Sequence, residues 1–460
     1  MNLNIENTNY NKIRYVLEWI FKIGFLAYAL LSFNSLCYGR VIISLVLWPT
    51  LLVGGFVLAI RVMKYKNYIK MPGLLFLALF LVSHIISAVA NIRYGYKEGI
   101  IKFIFLTFYF LILFTKEQSV SLEDMKKEVK ILGAFLEIYM FLCVALSFGF
   151  MICKYTQVRT IQDGWDIGIG FLWGRLWGVF TEPNYAAICA CVTIVLAVYF
   201  IKSAKKKAIK AFLVINSILQ LLYIAFTDSR TGRVGLGITV FIWVFNKLNY
   251  NRLHKAEKRK SELCIIICVS ILSFVIGASA PKWITNTYNM WQASHQEVAA
   301  EVNRGYDLTE DPSNRRFDIW KSGIEVFSTT PIVGTSYTNI LPYTLEHCEG
   351  TYLINNSAEK RFSSIHNEFL NVLVGQGIIG FIILVGFVIY SIRYYVKFYF
   401  RMTEEEQHFG NMLIASIAGI SAGAMFLTGM FYSNSPSAIL FWIFLGDFLV
   451  IARRIKEREE

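Results

Sequence analysis

Apolar runs long enough to cross a bilayer recur along this 460-residue chain, and no other feature restricts its fold so tightly. About 20 helical residues span ~30 Å of hydrocarbon, and within that layer every backbone N–H and C=O must be satisfied inside the segment. Such runs fall at about 16–33, 41–60, 73–90, 100–115, 131–150, 184–201, 209–227, 230–247, 263–280, 367–391, 410–432 and 434–451. They predict an all-α polytopic membrane protein with about twelve transmembrane helices. A composition of 55% hydrophobic and 17% charged residues excludes a soluble globule. The first run carries Glu18 and Lys22 and has no small-residue cleavage site, so no cleavable signal peptide is expected.

Charge divides the loops into two sets. Lys12, Arg14 and the stretches Arg61 to Lys70, Lys116 to Lys130, Lys202 to Lys210, Lys247 to Lys260, Arg393 to Arg401 and Arg453 to Arg458 hold 28 of the 45 lysines and arginines. By the positive-inside rule this set and both termini face the cytoplasm, against an anionic leaflet. The long segment 281–365 carries seven basic and ten acidic residues. It is expected to be a large, partly helical extracytoplasmic loop between the ninth and tenth spans of a single membrane domain, 1–460. The net charge of +13 therefore reports topology and implies no nucleic-acid partner. Eight cysteines, mostly within apolar runs, show no paired spacing with histidines. Asp163, Asp166, Asp307 and Asp311 are scattered, so neither a metal nor another cofactor is expected.

The kind of charge differs as well. The cytoplasmic set has 19 Lys to 9 Arg, whereas the outer segments have 5 Lys to 10 Arg. Topology does not prefer guanidinium, but bidentate binding of phosphate does; a salt-bridge network is the alternative. Two places sharpen this. Val234 to Phe245 is too short to cross at ~1.5 Å per residue, so its helix must take in Ser229 to Arg233. That draws Arg230 and Arg233 to the membrane's outer edge, either toward a wet cavity or snorkelling to headgroups.

The second place is Asp311 to Trp320. Asp311 and Pro312 suit N-cap and N1 of a helix that stops before Pro331. On it Phe317, Trp320, Ile324 and Phe327 form one stripe, opposite Asp318, Lys321 and Glu325. If that stripe rests on the bundle, Arg316 faces inward and Arg315 away. Six of ten tryptophans (Trp165, Trp173, Trp177, Trp283, Trp291, Trp320) lie in outer segments, as an interfacial belt or as stacking faces for sugars.

The chain comes to a point at Arg361 to Gly380. A polar run ends in His366-Asn367-Glu368, and an apolar run follows at once, past Gly377 and Gly380 to Tyr390. An imidazole at the mouth of a spanning helix meets water, headgroups and any lipid-linked substrate together. It serves there either as a hydrogen-bonding residue or as a base.

This order of features resembles the O-antigen ligase and polymerase family of bacterial surface-polysaccharide enzymes (WaaL-type ligases and Wzy-type polymerases). The matching residues are Ser229-Arg230 between two spans, Arg316-Phe317-Asp318-Ile319-Trp320, and Thr330-Pro331-Ile332-Val333-Gly334. After them come His366-Asn367-Glu368-Phe369-Leu370 and Gly377-Ile378-Ile379-Gly380, while Leu176 to Phe180 and Pro183-Asn184 match before an earlier span. The resemblance covers about 170–400; the first five spans carry none of its marks.

The resemblance implies a GT-C-like glycosyltransferase whose donor is a glycan on undecaprenyl diphosphate and which uses no metal. The family's histidine falls on His366 and its two arginines on Arg230 and Arg316. Arg233 and Arg315 are neighbours that compete for those roles, and Arg175 is a third contact. Asn367, Glu368 and Trp320 complete the expected substrate-binding set. In such a site the arginines neutralise the departing diphosphate, and the histidine accepts the acceptor hydroxyl's proton. Glu368 either orients the imidazole or a sugar hydroxyl, or is a helix-start carboxylate stabilised by the dipole.

The long insert favours a polymerase of lipid-linked repeat units over a ligase that transfers finished glycan. A transporter of the same lipids would show charges inside many spans and internal repeats, and the chain has few and none. The implied setting is the bacterial cytoplasmic membrane with the site on its outer face. The implied partners are a glycan or lipid-linked acceptor, membrane lipids, a flippase and a chain-length regulator.

Overall fold

The computed structural model describes residues 2–160, 166–255, 260–294, 301–303, 313, 315–356 and 359–460, with side chains from residue 13 onward. Each apolar run falls on a helix. These are α1 (Asn2–Ser32), α2 (Val41–Met63), α3 (Leu74–Ala90), α4 (Lys97–Phe108, continued by a π turn to Phe114) and α5 (Leu122–Ile152). Then follow α6 (Pro183–Ser203), α7 (Lys207–Phe226), α8 (Arg230–Leu253) and α9 (Lys260–Ser294). The insert contributes α10 (Arg316–Thr329) and α11 (Ile340–His347), before α12 (Glu368–Phe398), α13 (Glu404–Ala424) and α14 (Pro436–Glu459). Among the described residues seven helices, α1, α2, α5, α6, α7, α9 and α12, are long and apolar enough to cross a membrane. The chain is thus an integral membrane protein of helices with almost no sheet.

Small residues set how closely the helices approach, as packing in lipid requires. A Cβ on Gly232 would lie 2.4 Å from Cβ of Ala187, and one on Gly237 2.9 Å from the Phe274 ring. α8 is therefore pressed between α6 and α9 along its first turns, which fixes the place of Arg230.

The structure departs from expectation in four places. The loop between α5 and α6 holds a three-stranded antiparallel sheet, β1 (Thr156–Thr160), β2 (Asp166–Leu172) and β3 (Arg175–Gly178), ordered β1-β2-β3. The period-two pattern Ile167-Gly168-Ile169-Gly170-Phe171 carries its signal. α9 runs on through Pro281 to Ser294, where the hydrophilic insert is expected to begin.

The third departure is α13, which ends at Ala424 and not near 432, leaving 425–435 irregular yet largely buried. Irregular backbone at that depth survives only if its polar groups find partners. Glu368 supplies them, its two carboxylate oxygens accepting the amides of Met430 and Phe431 at 3.1 Å each.

The fourth is α10, which begins at Arg316 behind Arg315 in the left-handed region (φ 60°). The expected N-cap and N1, Asp311 and Pro312, lie outside the described residues. The helix does stop before Pro331, but its buried face is Ile319, Ser322, Gly323 and Val326. Phe317 and Ile324, expected to be buried, are 66% and 46% exposed. The reason is tertiary. Ser322 Oγ accepts the Tyr352 amide (3.0 Å), and Ile365 packs on Gly323, where a Cβ would lie 2.9 Å from it. α10 therefore rests on a separate apolar cluster that includes Ile340, Leu353, Ile365 and Val374.

The Gly377-to-Gly380 stretch is a break in α12, with Gly377 at φ 66°, ψ −168°, a region only glycine enters readily. Thr330 to Gly334 docks against that break: the Ile378 amide donates to Pro331 O (2.8 Å) and the Thr335 amide to Val374 O (2.9 Å). A Cβ on Gly377 would sit 2.2 Å from Ile332 O. Gly377→Ala is therefore expected to cost roughly 1–3 kcal/mol. It should show as a lowered melting temperature of the detergent-solubilised protein, and an unchanged value would mean that the break is not held in solution.

Candidate active site

The first amides of a helix have no partner within it, so polar residues collect at helix starts. Here the starts of α6, α8, α10 and α12 converge. Glu182 caps α6, accepting the Asn184 amide at 2.9 Å. Ser229 caps α8, its Oγ accepting the Gly232 amide at 3.0 Å and donating to Asn184 Oδ1 at 2.8 Å. Asn367 caps α12 through the amides of Phe369 (3.0 Å) and Leu370 (3.1 Å). Between these starts lies a cavity of about 510 Å³.

Of the residues named from sequence, Arg175, Arg230, Arg315, Arg316 and His366 line this cavity. Arg230 is the first residue of α8, held there by the Ser229 cap. Arg175 opens β3, is buried, and donates to Asn184 Oδ1 at 3.2 Å with its guanidinium 5.7 Å from the Trp177 ring centre. Arg316 Nη2 lies 3.5 Å from Thr231 Oγ1, and its guanidinium sits 5.4 Å from the Phe426 ring centre. Arg315 is half exposed and pairs with Asp318 at 3.7 Å.

The other expected residues lie elsewhere. Arg233 turns from the cavity to α9, where Nε donates to Ala278 O at 3.2 Å. The side chains of Asn367 and Glu368 go to backbone amides, as helix cap and as anchor of 425–435, and neither lines the cavity. Trp320 lines an adjoining apolar hollow of about 260 Å³ with Val234, Phe317 and Phe426, and Arg230 and Arg316 border it too.

His366 itself has φ 51°, and its amide donates to Ser364 Oγ at 3.2 Å. Asn371 holds the same turn by accepting the Ile365 amide (2.8 Å) and donating to Thr428 Oγ1 (2.8 Å). The imidazole stands edge-on to Phe362, ring centres 5.9 Å apart. Burial, and secondly the charge of Arg316, lower its pKa to about 4. At neutral pH it is therefore uncharged and able to accept a proton.

Lining residues not singled out from sequence include Lys360, Glu182 and Tyr185. Asn184 was noted only as part of a motif, yet it joins Arg175, Ser229 and Glu182 in one hydrogen-bonded unit. Five cations and one carboxylate thus border the cavity. Such a wall stabilises a multiply charged anion, and guanidinium forks match phosphate oxygens in pairs.

Residues 215–385 match the family described as O-antigen ligase. The match takes in Arg230, Arg316 and His366, while Arg175, Glu182 and Asn184 precede it. Over 216 residues the chain is 25% identical to an uncharacterized protein of Haemophilus influenzae, an overlap of 46% of this chain. The overlap covers 50% of that relative, so the chain spans about half its length.

Proposed function

We propose that this chain is a membrane glycosyltransferase joining undecaprenyl-diphosphate-linked repeat units of a surface polysaccharide, a reading supported by the match of residues 215–385 to the family described as O-antigen ligase. One observation carries the reading: His366, Arg230 and Arg316, far apart in sequence, border a single cationic cavity. The adjoining hollow supports it, since Val234, Phe317, Trp320 and Phe426 set a hydrocarbon wall beside the same two arginines. That suits a prenyl chain carrying a diphosphate.

The acceptor's hydroxyl oxygen bonds to the anomeric carbon as the bond from that carbon to the diphosphate breaks. The hydroxyl proton passes to the His366 imidazole, and the electron pair leaves with the diphosphate. Attack opposite the leaving group inverts the carbon. Charge grows on the departing oxygens during the step, so fixed guanidinium groups bind the transition state better than the ground state.

The reaction lies on the outer face of the bacterial cytoplasmic membrane, with twelve spans and both termini inside. A flippase supplies the donor and a chain-length regulator limits the product. The family description favours a second reading, transfer of finished glycan to a lipid or protein acceptor, which uses the same donor, base and arginines. Glycan length in a deletion strain separates them: single lipid-linked repeats indicate a lost polymerase, and long unattached chains a lost ligase. Normal attached polymer would remove both.

The base assignment sets a pH dependence. The imidazole must be neutral to accept a proton, and its pKa is lowered to about 4. kcat/KM is therefore expected to stay level from neutral pH down to about pH 5 and to fall only below that. An acid limb centred near the ordinary histidine value of about 6.5 would contradict the half-buried His366 imidazole acting as base.

A further inference from the structure

A second hollow, of about 220 Å³, opens beside the cationic cavity and shares Glu182 and Tyr185 with it. Its walls come from the end of α1 and the turns before α6 and α14, all outside residues 215–385.

The chemistry of the two spaces differs in kind. Among the described residues no lysine or arginine lines the second. Hydroxyls and an amide (Ser32, Thr181, Asn434), the rings of Tyr28 and Phe33, and the carboxylate of Glu182 do. A diphosphate there would meet Glu182 with no lining cation to offset it. An uncharged polyol suits it better, because carboxylate and amide groups pair with vicinal hydroxyls and ring faces cover C–H surface. Glu182 is held in place for this: Oε1 accepts both the Asn184 amide (2.9 Å) and Asn184 Nδ2 (2.5 Å). Asn434 is fixed in turn, accepting from Tyr109 Oη at 3.2 Å and donating to Tyr28 Oη at 3.4 Å.

We infer that this hollow binds an uncharged sugar of the acceptor glycan, with Glu182 and Asn434 taking its hydroxyls. The inference rests on the glycosyl-transfer reading above. The acceptor then enters beside α1 and α14, the donor's diphosphate lies among the arginines, and the two meet at the wall they share.

The test uses the full chain in lipid nanodiscs and two probes. One is inorganic pyrophosphate, and the other is the free oligosaccharide released by mild acid from the lipid-linked repeat unit of a strain lacking this gene. Glu182→Gln keeps an oxygen for the Asn184 amide and removes the charge; Asn434→Ala is the second variant. Each is expected to weaken oligosaccharide binding by about tenfold; Asn434→Ala, which does not border the cationic cavity, is expected to leave pyrophosphate within about twofold, with Arg316→Ala doing the reverse.

Oligosaccharide binding unchanged in both variants overturns the assignment, as does an oligosaccharide that ignores the wild-type protein while pyrophosphate binds. If Glu182→Gln loses both probes through misfolding, Asn434→Ala decides. Pyrophosphate that fails to bind wild type removes the glycosyl-transfer reading itself, and the inference with it.

Discussion

His366→Asn gives a protein that folds and inserts normally but transfers glycan at least about 10²-fold more slowly. Asparagine is the instructive substitution because His366 lies in the left-handed region, at φ 51°. Asparagine tolerates that conformation, whereas alanine adds a strain of roughly 1–2 kcal/mol. A loss of activity in His366→Ala therefore mixes chemistry with folding, and His366→Asn separates them. The Ser364 hydroxyl that accepts the residue's amide, and the Asn371 contacts around it, do not involve the imidazole. Single-turnover transfer from purified lipid-linked repeat units, alongside size-exclusion behaviour in detergent, makes the comparison. Near-normal turnover in a well-folded His366→Asn protein would remove the base.

The second large effect separates two adjacent arginines. Arg316→Ala is expected to lower kcat by about 10²- to 10³-fold, as for loss of one donor to a developing oxyanion. Arg315→Ala should stay within about fivefold, because an exposed ion pair contributes little. Both side chains line the cavity, yet their settings differ. Arg316 is held over Phe426 and beside Thr231, where the cavity meets the apolar hollow. Arg315 is half exposed, reaches Asp318, and does not border that hollow. Equal sensitivity of the two would place the diphosphate at the outer mouth of the cavity, away from the hydrocarbon wall.

Much of this site was legible in the chain as a list of residues, but not as an arrangement. The motifs at 229–230, 316–320 and 366–370 mark helix starts, and helix starts advertise themselves through capping residues such as Ser229 and Asn367. At Glu368 the same logic left two roles open, a partner for the imidazole or a sugar hydroxyl and a helix-start carboxylate. An acidic residue two positions after a candidate base reads as a partner for it, yet the amides of Met430 and Phe431 take both oxygens. Nothing local to Glu368 announces them, since they lie some sixty positions later in an irregular segment. α10 fails in a similar way. Its apolar residues form two overlapping stripes, and Gly323 against Ile365 decides which is buried.

The sequence by itself determined the helices and where they begin. Hydrocarbon leaves an apolar run no partner for its backbone but itself, and unpaired amides at each start select polar caps; both effects act within a few residues. Which functional groups share a space was decided only by the tertiary structure. Arg175, Arg230, Arg316 and His366 come from four elements, and their meeting depends on the close packing of α8 on α6, on the sheet that carries Arg175, and on the 425–435 segment pinned by Glu368. Such contacts join residues far apart along the chain, and no pattern within one helix encodes the face its distant neighbour will cover.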